Sequence, residues 1–335
     1  MRTRQFLFSL ALPMLILTYL ALSLPAAAQS MDQFMARVTG KTIHVPGDFA
    51  SIQAAIDAAA DGDLVLLAPG TYNEPVELAE KSVTLASELL TTGNQDRIAA
   101  TVLDGSKPGG AEGRNSHVIR VRPSAGENTQ IVGFTIQGGD DGITCGGNVH
   151  IVHNRFFDNV DAIDYESGGG YCAYNLFEEN EDDAIDLDGP CEGLFEHNII
   201  RNNEDDGVEI RLQPYSGPLM RAVFRHNLIQ GNEEDGIQII DYFEPADREI
   251  VIERNFILDT AMAGIGFMGG TKTGENYMGA DVDERVFILN NTLSGNMYGI
   301  SGGNCVIALN NIIVNTEKTA LHRVDYNSVV EHVLL

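Results

Sequence analysis

A short phrase, an asparagine followed by apolar residues, recurs along the chain: HNRF at 153, YNLF at 174, HNII at 197, HNLI at 226, RNFI at 254, NNTL at 290 and NNII at 310. The asparagines are Asn154, Asn175, Asn198, Asn227, Asn255, Asn291 and Asn311, at spacings of 21, 23, 29, 28, 36 and 20. The short spacings define one period, and the long ones read as that period plus an insertion. Self-similarity at such a period marks a repeat architecture. It excludes folds in which each element has its own environment.

About eight residues after each early asparagine comes a second phrase: DGIT at 141, DAID at 161, DAID at 183, DGVE at 206 and DGIQ at 235. Turn formers (Gly, Asn, Asp) separate the phrases. Each repeat therefore predicts three short strands, the size of one coil of a parallel β-helix in which every coil pairs with the next. No ten-residue segment in these repeats has helical period, so helical repeats are excluded. Apolar columns agree. Ile151, Cys172, Phe195, Phe224 and Ile252 stand three before the asparagines, and Phe156, Phe177, Ile200, Ile229 and Ile257 stand two after. These are predicted to stack inside. Cys172 falls in such a column and Cys145 aligns with Tyr165 and Leu187, so buried thiols are expected rather than disulfides. The asparagines themselves are expected at left-handed turns, with amides hydrogen-bonded from coil to coil. His153, His197 and His226, with Tyr174 between, form a column read as stacked turn residues, not zinc ligands.

Upstream, Thr42–Glu74 reads as strand, amphipathic helix and strand, with Phe49, Ile52, Ala55 and Ile56 on the apolar stripe. Such a helix could cover the open end strand of a solenoid. Segment 49–72 together with the asparagine-centred repeats resembles the pectate-lyase-like right-handed parallel β-helix superfamily. The resemblance covers nearly all of the chain after its leader. It implies an all-β right-handed parallel β-helix with an N-terminal capping helix at about 42–74, in a single domain spanning 29–335. It implies no one activity, because lyases, hydrolases, epimerases, esterases and non-catalytic proteins share the fold.

The ends carry further expectations. Met1–Arg4 is basic, Phe6–Leu24 is almost wholly apolar and Ala26–Ala28 is a small-residue run. Residues 1–28 thus read as a secretory signal peptide, giving a secreted or periplasmic protein with no membrane span once the leader is cut. The other end stops on bare apolar residues, HRVDYNSVVEHVLL, as though another coil had begun, and a truncated chain is expected.

Charge narrows the function. The net charge is −27, which disfavours nucleic acid and anionic membranes. The segment NLFEENEDDAIDLDG, Asn175–Gly189, alone holds seven carboxylates. Strand alternation points Ile163, Ile185 and Val208 inward and Asp164, Asp186 and Glu209 outward. The next outward column is Glu166, Asp188 and Arg211, and the preceding turns add Asp161, Asp182, Asp183, Asp205 and Asp206. Carboxylates stacked one coil apart repel by roughly 1 kcal/mol per pair in water and several times more in a protein. Protonation or a cation must relieve them, and oxygen-only ligands suit Ca²⁺.

Asp182-Asp183-Ala-Ile-Asp186 is similar to the Asp-Asp-x-x-Asp calcium motif of certain parallel β-helix pectate lyases, with Asp161 or Asp164 one coil earlier. The resemblance implies a Ca²⁺ site drawn from Asp161, Asp164, Asp182, Asp183, Asp186, Asp188 and Asp206. It implies β-elimination on a uronate-containing polysaccharide, with Arg211 as base and Glu209 beside it. Lysines at the corresponding place are lacking. Insertions at 211–220, 241–249 and 268–284 are expected to wall a groove, where Glu166, Tyr215, Tyr242, Phe243, Lys272 and Tyr277 would meet sugar. A glycoside hydrolase using paired carboxylates and a non-catalytic cation- or carbohydrate-binding solenoid are the competing expectations. Nothing in the sequence sets an oligomeric state, and a monomer is the expectation.

Overall fold

The computed structural model describes residues 31–106, 115–242, 244–270, 277, 282–325 and 327–335. The leader at 1–28, Phe243 and Lys272 lie outside the described residues. The chain winds as a parallel β-helix of three sheets, with 12, 10 and 10 strands among the described residues. One coil shows the plan. Asn148–Val152 runs in the first sheet, Arg155–Phe157 in the second and Asp161–Tyr165 in the third, and Gly168–Ala173 returns to the first. Every strand pairs in parallel with its equivalent one coil away, as in Asn148–Val152 on Gly168–Ala173.

The predicted inward columns exist. Ile151, Cys172, Phe195, Phe224 and Ile252 are consecutive register partners. So are Phe156, Phe177, Ile200, Ile229 and Ile257. All are buried. The Phe156 and Phe177 rings stack at 4.7 Å and those of Phe195 and Phe224 at 4.6 Å. Burying each such side chain contributes about 1.5–3 kcal/mol, so the apolar stack holds the coils in register. Cys145, Cys172 and Cys191 are free and buried in this interior, while Cys305 is exposed.

The corners correct one expectation. The left-handed residue is not the asparagine but the one before it: His153, Tyr174, His197, His226, Arg254, Asn290 and Asn310 have φ between 56° and 59°, except Arg254 at 55°. Each following asparagine is buried instead, and its amide replaces the backbone pairing that a corner cannot make. Asn175 accepts from the Asn154 backbone N–H through Oδ1 at 2.9 Å, and its Nδ2 donates to Ile151 O at 2.9 Å and to Asn198 Oδ1 at 3.1 Å. A second, unpredicted ladder of Asn159, Asn180, Asn203 and Asn232 does the same work at the next corner. Outside the first ladder the rings of His153, Tyr174, His197 and His226 stack at 4.9–5.1 Å. Burial lowers His153 to about 4, as expected of a packed imidazole.

At the N-terminal end the helix Ile52–Ala58 starts where Ser51 accepts from Ala54 N–H and Glu74 accepts from Ile52 N–H. Ile52, Ala55 and Ile56 are buried, and the helix packs on strands Thr42–Val45, Leu64–Leu67 and Val76–Leu78.

Candidate functional site

Entry to the third sheet is built by a ladder of aspartates that stands just after the second asparagine ladder. Asp161 Oδ1 accepts from Asp183 N–H at 3.2 Å, Asp183 Oδ1 from Asp206 N–H at 3.0 Å, and Asp206 Oδ1 from Asp235 N–H at 2.6 Å. Asp235 Oδ1 then accepts from Ala263 N–H at 2.6 Å. A carboxylate gives the same acceptor as an asparagine amide but not its N–H donor. The aspartates therefore supply coil-to-coil acceptors and add a column of buried charge. Burial, reinforced by Glu209 and Asp186 for Asp183 and by Asp183 and Asp235 for Asp206, pushes both carboxyls well above the usual range. Burial and the neighbouring Asp182 bring Asp161 to about 7.

Three residues on, the register aligns Thr144, Asp164, Asp186, Glu209 and Gln238 on the outer face of the third sheet. Ile163, Ile185 and Val208 face the core. Burial and the like charges of Asp141 and Asp188 raise Asp164 to about 7. Burial and Glu209 raise Asp186 to about 9, against the pull of Arg211. Burial raises Glu209 to about 7, again opposed by Arg211.

Arg211 lies among these acids. It contacts Asp188 and Glu209, and its Nη1 is 3.8 Å from Asp186 Oδ2. Burial opposes its charge, but Asp186, Glu209 and Asp188 outweigh that and hold the guanidinium protonated beyond the usual range.

Oxygen atoms of four sets come within 4.8 Å of one another: Asp161/Asp182/Asp183, Asp164/Asp186/Asp188, Asp183/Asp186/Glu209 and Asp183/Asp205/Asp206. Within the second set, Asp164 Oδ1 and Asp186 Oδ1 are buried and accept no hydrogen bond among the described residues. A buried carboxylate oxygen without a partner is costly. All-oxygen donors converging from adjacent coils are the ligand chemistry of a hard cation such as Ca²⁺, so the residues present fit one. All seven predicted metal ligands fall within these sets.

The predicted sugar contacts separate. Tyr242 is half-buried beside the cluster, where it senses Arg211, Glu209, Asp188 and Asp186. Glu166 is exposed on the same face, and Tyr215 is half-buried on the 211–220 loop. Tyr277 corrects the expectation of a stacking platform. It is buried, its hydroxyl donates to Asp235 Oδ1 and accepts from Ala263 N–H at 3.2 Å, and its ring meets Tyr298 and His322. No face is left for a sugar. The three insertions do begin where strands Glu209–Leu212, Ile237–Asp241 and Ala263–Gly269 end, at one edge of the acidic sheet.

Two coils toward the N-terminus, the same face carries residues that the repeat phrases did not reveal. Arg120 is the register partner of Thr144, and His117 that of Asp141. A separate surface cavity of about 880 Å³ lies at the ring-stacked corner, lined by residues including Met31, Leu90, His153, Tyr174 and His197, away from the acidic cluster.

A family model described as "Right handed beta helix region" matches residues 111–255 and 143–317. No curated protein sequence matches. Among solved structures, the A-module of the Azotobacter vinelandii mannuronan C-5 epimerase AlgE4 is 18% identical with a TM-score of 0.48, covering 85% of this chain and 96% of that one. A pectate lyase, Pel9A, is 14% identical with a TM-score of 0.45, covering 88% and 78%. An alginate lyase from Paenibacillus is 14% identical with a TM-score of 0.37, covering 88% and 99%. At this level of likeness they leave the chemistry of this chain open.

Proposed function

This chain belongs to the right-handed β-helix family, and from that footing we propose that it is an exported, Ca²⁺-dependent lyase of a uronate-containing polysaccharide. The observation that carries the reading is the pair of buried oxygens on Asp164 and Asp186 that accept no hydrogen bond among the described residues, set among further carboxylates one coil apart. The leader pattern at 1–28 supports export.

Asp164, Asp186 and Asp188 would hold the cation, with Asp161, Asp182, Asp183 and Asp206 supplying the negative field behind it. When bound, Ca²⁺ would neutralise the uronate carboxylate and make the adjacent C5 proton more acidic. Two side chains of the chain itself serve the elimination. Glu209, raised to about 7 by burial, is suited to exchange a proton near neutral pH. Arg211 is assigned to charge stabilisation rather than to proton abstraction, because the acids around it hold it charged. It would pair with the negative charge that develops beside the substrate carboxylate.

The test is incubation of the full chain with polygalacturonate and with alginate, in Ca²⁺ or in chelator. A Ca²⁺-dependent rise in ultraviolet absorbance from unsaturated product supports the lyase. New reducing ends without that absorbance establish hydrolysis instead. No product on either polymer, with Ca²⁺ still raising the melting temperature, would reduce the protein to a binding solenoid.

A further inference from the structure

Along the outer face of the third sheet the charge changes sign. The register runs Glu77, Arg120, Thr144, Asp164, Asp186, Glu209, one residue per coil. Arg120 thus lies two coils from Asp164, about 10 Å at ~4.8 Å per coil. A lone arginine beside a −27 chain would be expected to pair with an acid. Arg120 does not: it forms no ion pair among the described residues, and its Nε is buried without an acceptor. The acid in register with it, Glu77, and the acid whose charge it offsets at a distance, Asp141, both have other hydrogen-bond partners. Glu77 Oε2 accepts from Arg122 Nε at 2.8 Å and Nη2 at 2.6 Å. Asp141 Oδ2 accepts from Thr144 Oγ1 at 2.6 Å.

We propose that Arg120 is a carboxylate-binding subsite of the same groove, recognising a uronate of the polymer chain two coils from the unit held at the acidic cluster. The subsite rests on the reading of this protein as acting on an acidic polysaccharide, and it specifies which charge on the polymer is read and where. A half-buried guanidinium with an unmet N–H is an anion receptor, since its planar donors match a carboxylate. Arg122 and Glu77 offset one another at the rim, so neither competes for that role. His117 stands three residues before Arg120 on the same strand, Asn115–Val121, and is half-buried. Burial and the positive charges of Arg120 and Arg122 lower it. It is therefore neutral at physiological pH and adds a hydrogen-bonding edge without a second fixed charge.

One face then presents two complementary ways of holding carboxylates: directly at Arg120, and through a cation at Asp164 and Asp186. A polymer with a charge on successive units satisfies both. A neutral or fully esterified polymer satisfies neither, so the arrangement selects for free carboxylates.

The experiment uses the full chain, R120Q and R120K, titrated calorimetrically with short oligogalacturonates in Ca²⁺ and with their methyl-esterified counterparts. The wild type should bind the free acids, and R120Q should bind them about ten- to a hundredfold more weakly, the effect of losing a charge-assisted hydrogen bond. R120K should recover part of the loss. An unchanged Ca²⁺-induced rise in melting temperature in R120Q would show that the fold and acidic cluster are intact. Equal affinity of wild type and R120Q for the free acids overturns the subsite while leaving the proposed function standing. No binding of any uronate oligomer by the wild type overturns both.

Discussion

Ca²⁺ affinity should be steeply pH-dependent, because two of the side chains that would receive the ion, Asp164 and Asp186, are held toward their protonated forms in its absence. Asp186 sits at about 9 and Asp164 at about 7, both raised first by burial and then by neighbouring acids. An unfolded aspartate ionises near 3.8, so each of these groups keeps its proton in the fold over a window where the unfolded chain has lost it. These two groups therefore favour the metal-free fold at low pH, and that contribution is lost as pH rises from about 4 toward about 9. A cation reverses the cost by taking the place of the protons. Between pH 6 and 8 the proton on Asp186 alone costs about a hundredfold in affinity at the lower pH, and Asp164 adds roughly another tenfold. Calorimetry in buffers of different ionisation enthalpy should show about one to two protons released per Ca²⁺ at pH 6.5. In D186N the affinity should fall and most of the pH dependence should go with it. An affinity that is flat from pH 6 to 8, with no buffer dependence, would refute the reasoning. It would mean that the acids are ionised and solvated rather than held protonated in a dry stack.

Three further outcomes follow from the same structure. Asn198→Ala removes an acceptor for Asn175 N–H and Nδ2 and a donor to Cys172 O; it should cost about 2–4 kcal/mol, read as a lower urea midpoint. R211Q should destabilise the metal-free protein more at pH 8 than at pH 5, because burial holds Asp186 and Glu209 protonated at the lower pH; equal melting shifts at both would contradict the ion-pair geometry. A thiol reagent should label Cys305 rapidly in the native protein and Cys145, Cys172 and Cys191 only on unfolding, since burial of the three and exposure of the one separate them.

The fold was legible because a solenoid writes its contacts into the sequence: Phe156 and Phe177 are neighbours in space by being one period apart. Less visible was what the asparagines do. A recurrent asparagine suggests a left-handed turn, but the left-handed residue is whichever precedes it, so His, Tyr, Arg and Asn share that place. The aspartate phrase was legible as an outward charge, whereas its use of Oδ1 as a corner acceptor depends on the backbone N–H one coil away. Tyr277 reads as exposed because it lies in a polar insertion, yet it folds back on Asp235. Arg120 was missed for a definite reason. At the coil before Asn154 the ladder position holds Phe134, whose N–H donates to Asn154 Oδ1 at 3.0 Å. Without the phrase, and with an insertion before 115, the register could not be counted upstream.

The coil-to-coil register has a consequence for how such a groove can change. Separations along it come in whole coils, so the interval between Arg120 and Asp164 is quantised. Substitution cannot adjust it smoothly, and lengthening a loop leaves it untouched. Excising or duplicating one complete repeat would move the two charge-reading points by one step and preserve every hydrogen bond within each. The solenoid is thus a ruler, and the periodicity of the polymer it measures would be set by an integer.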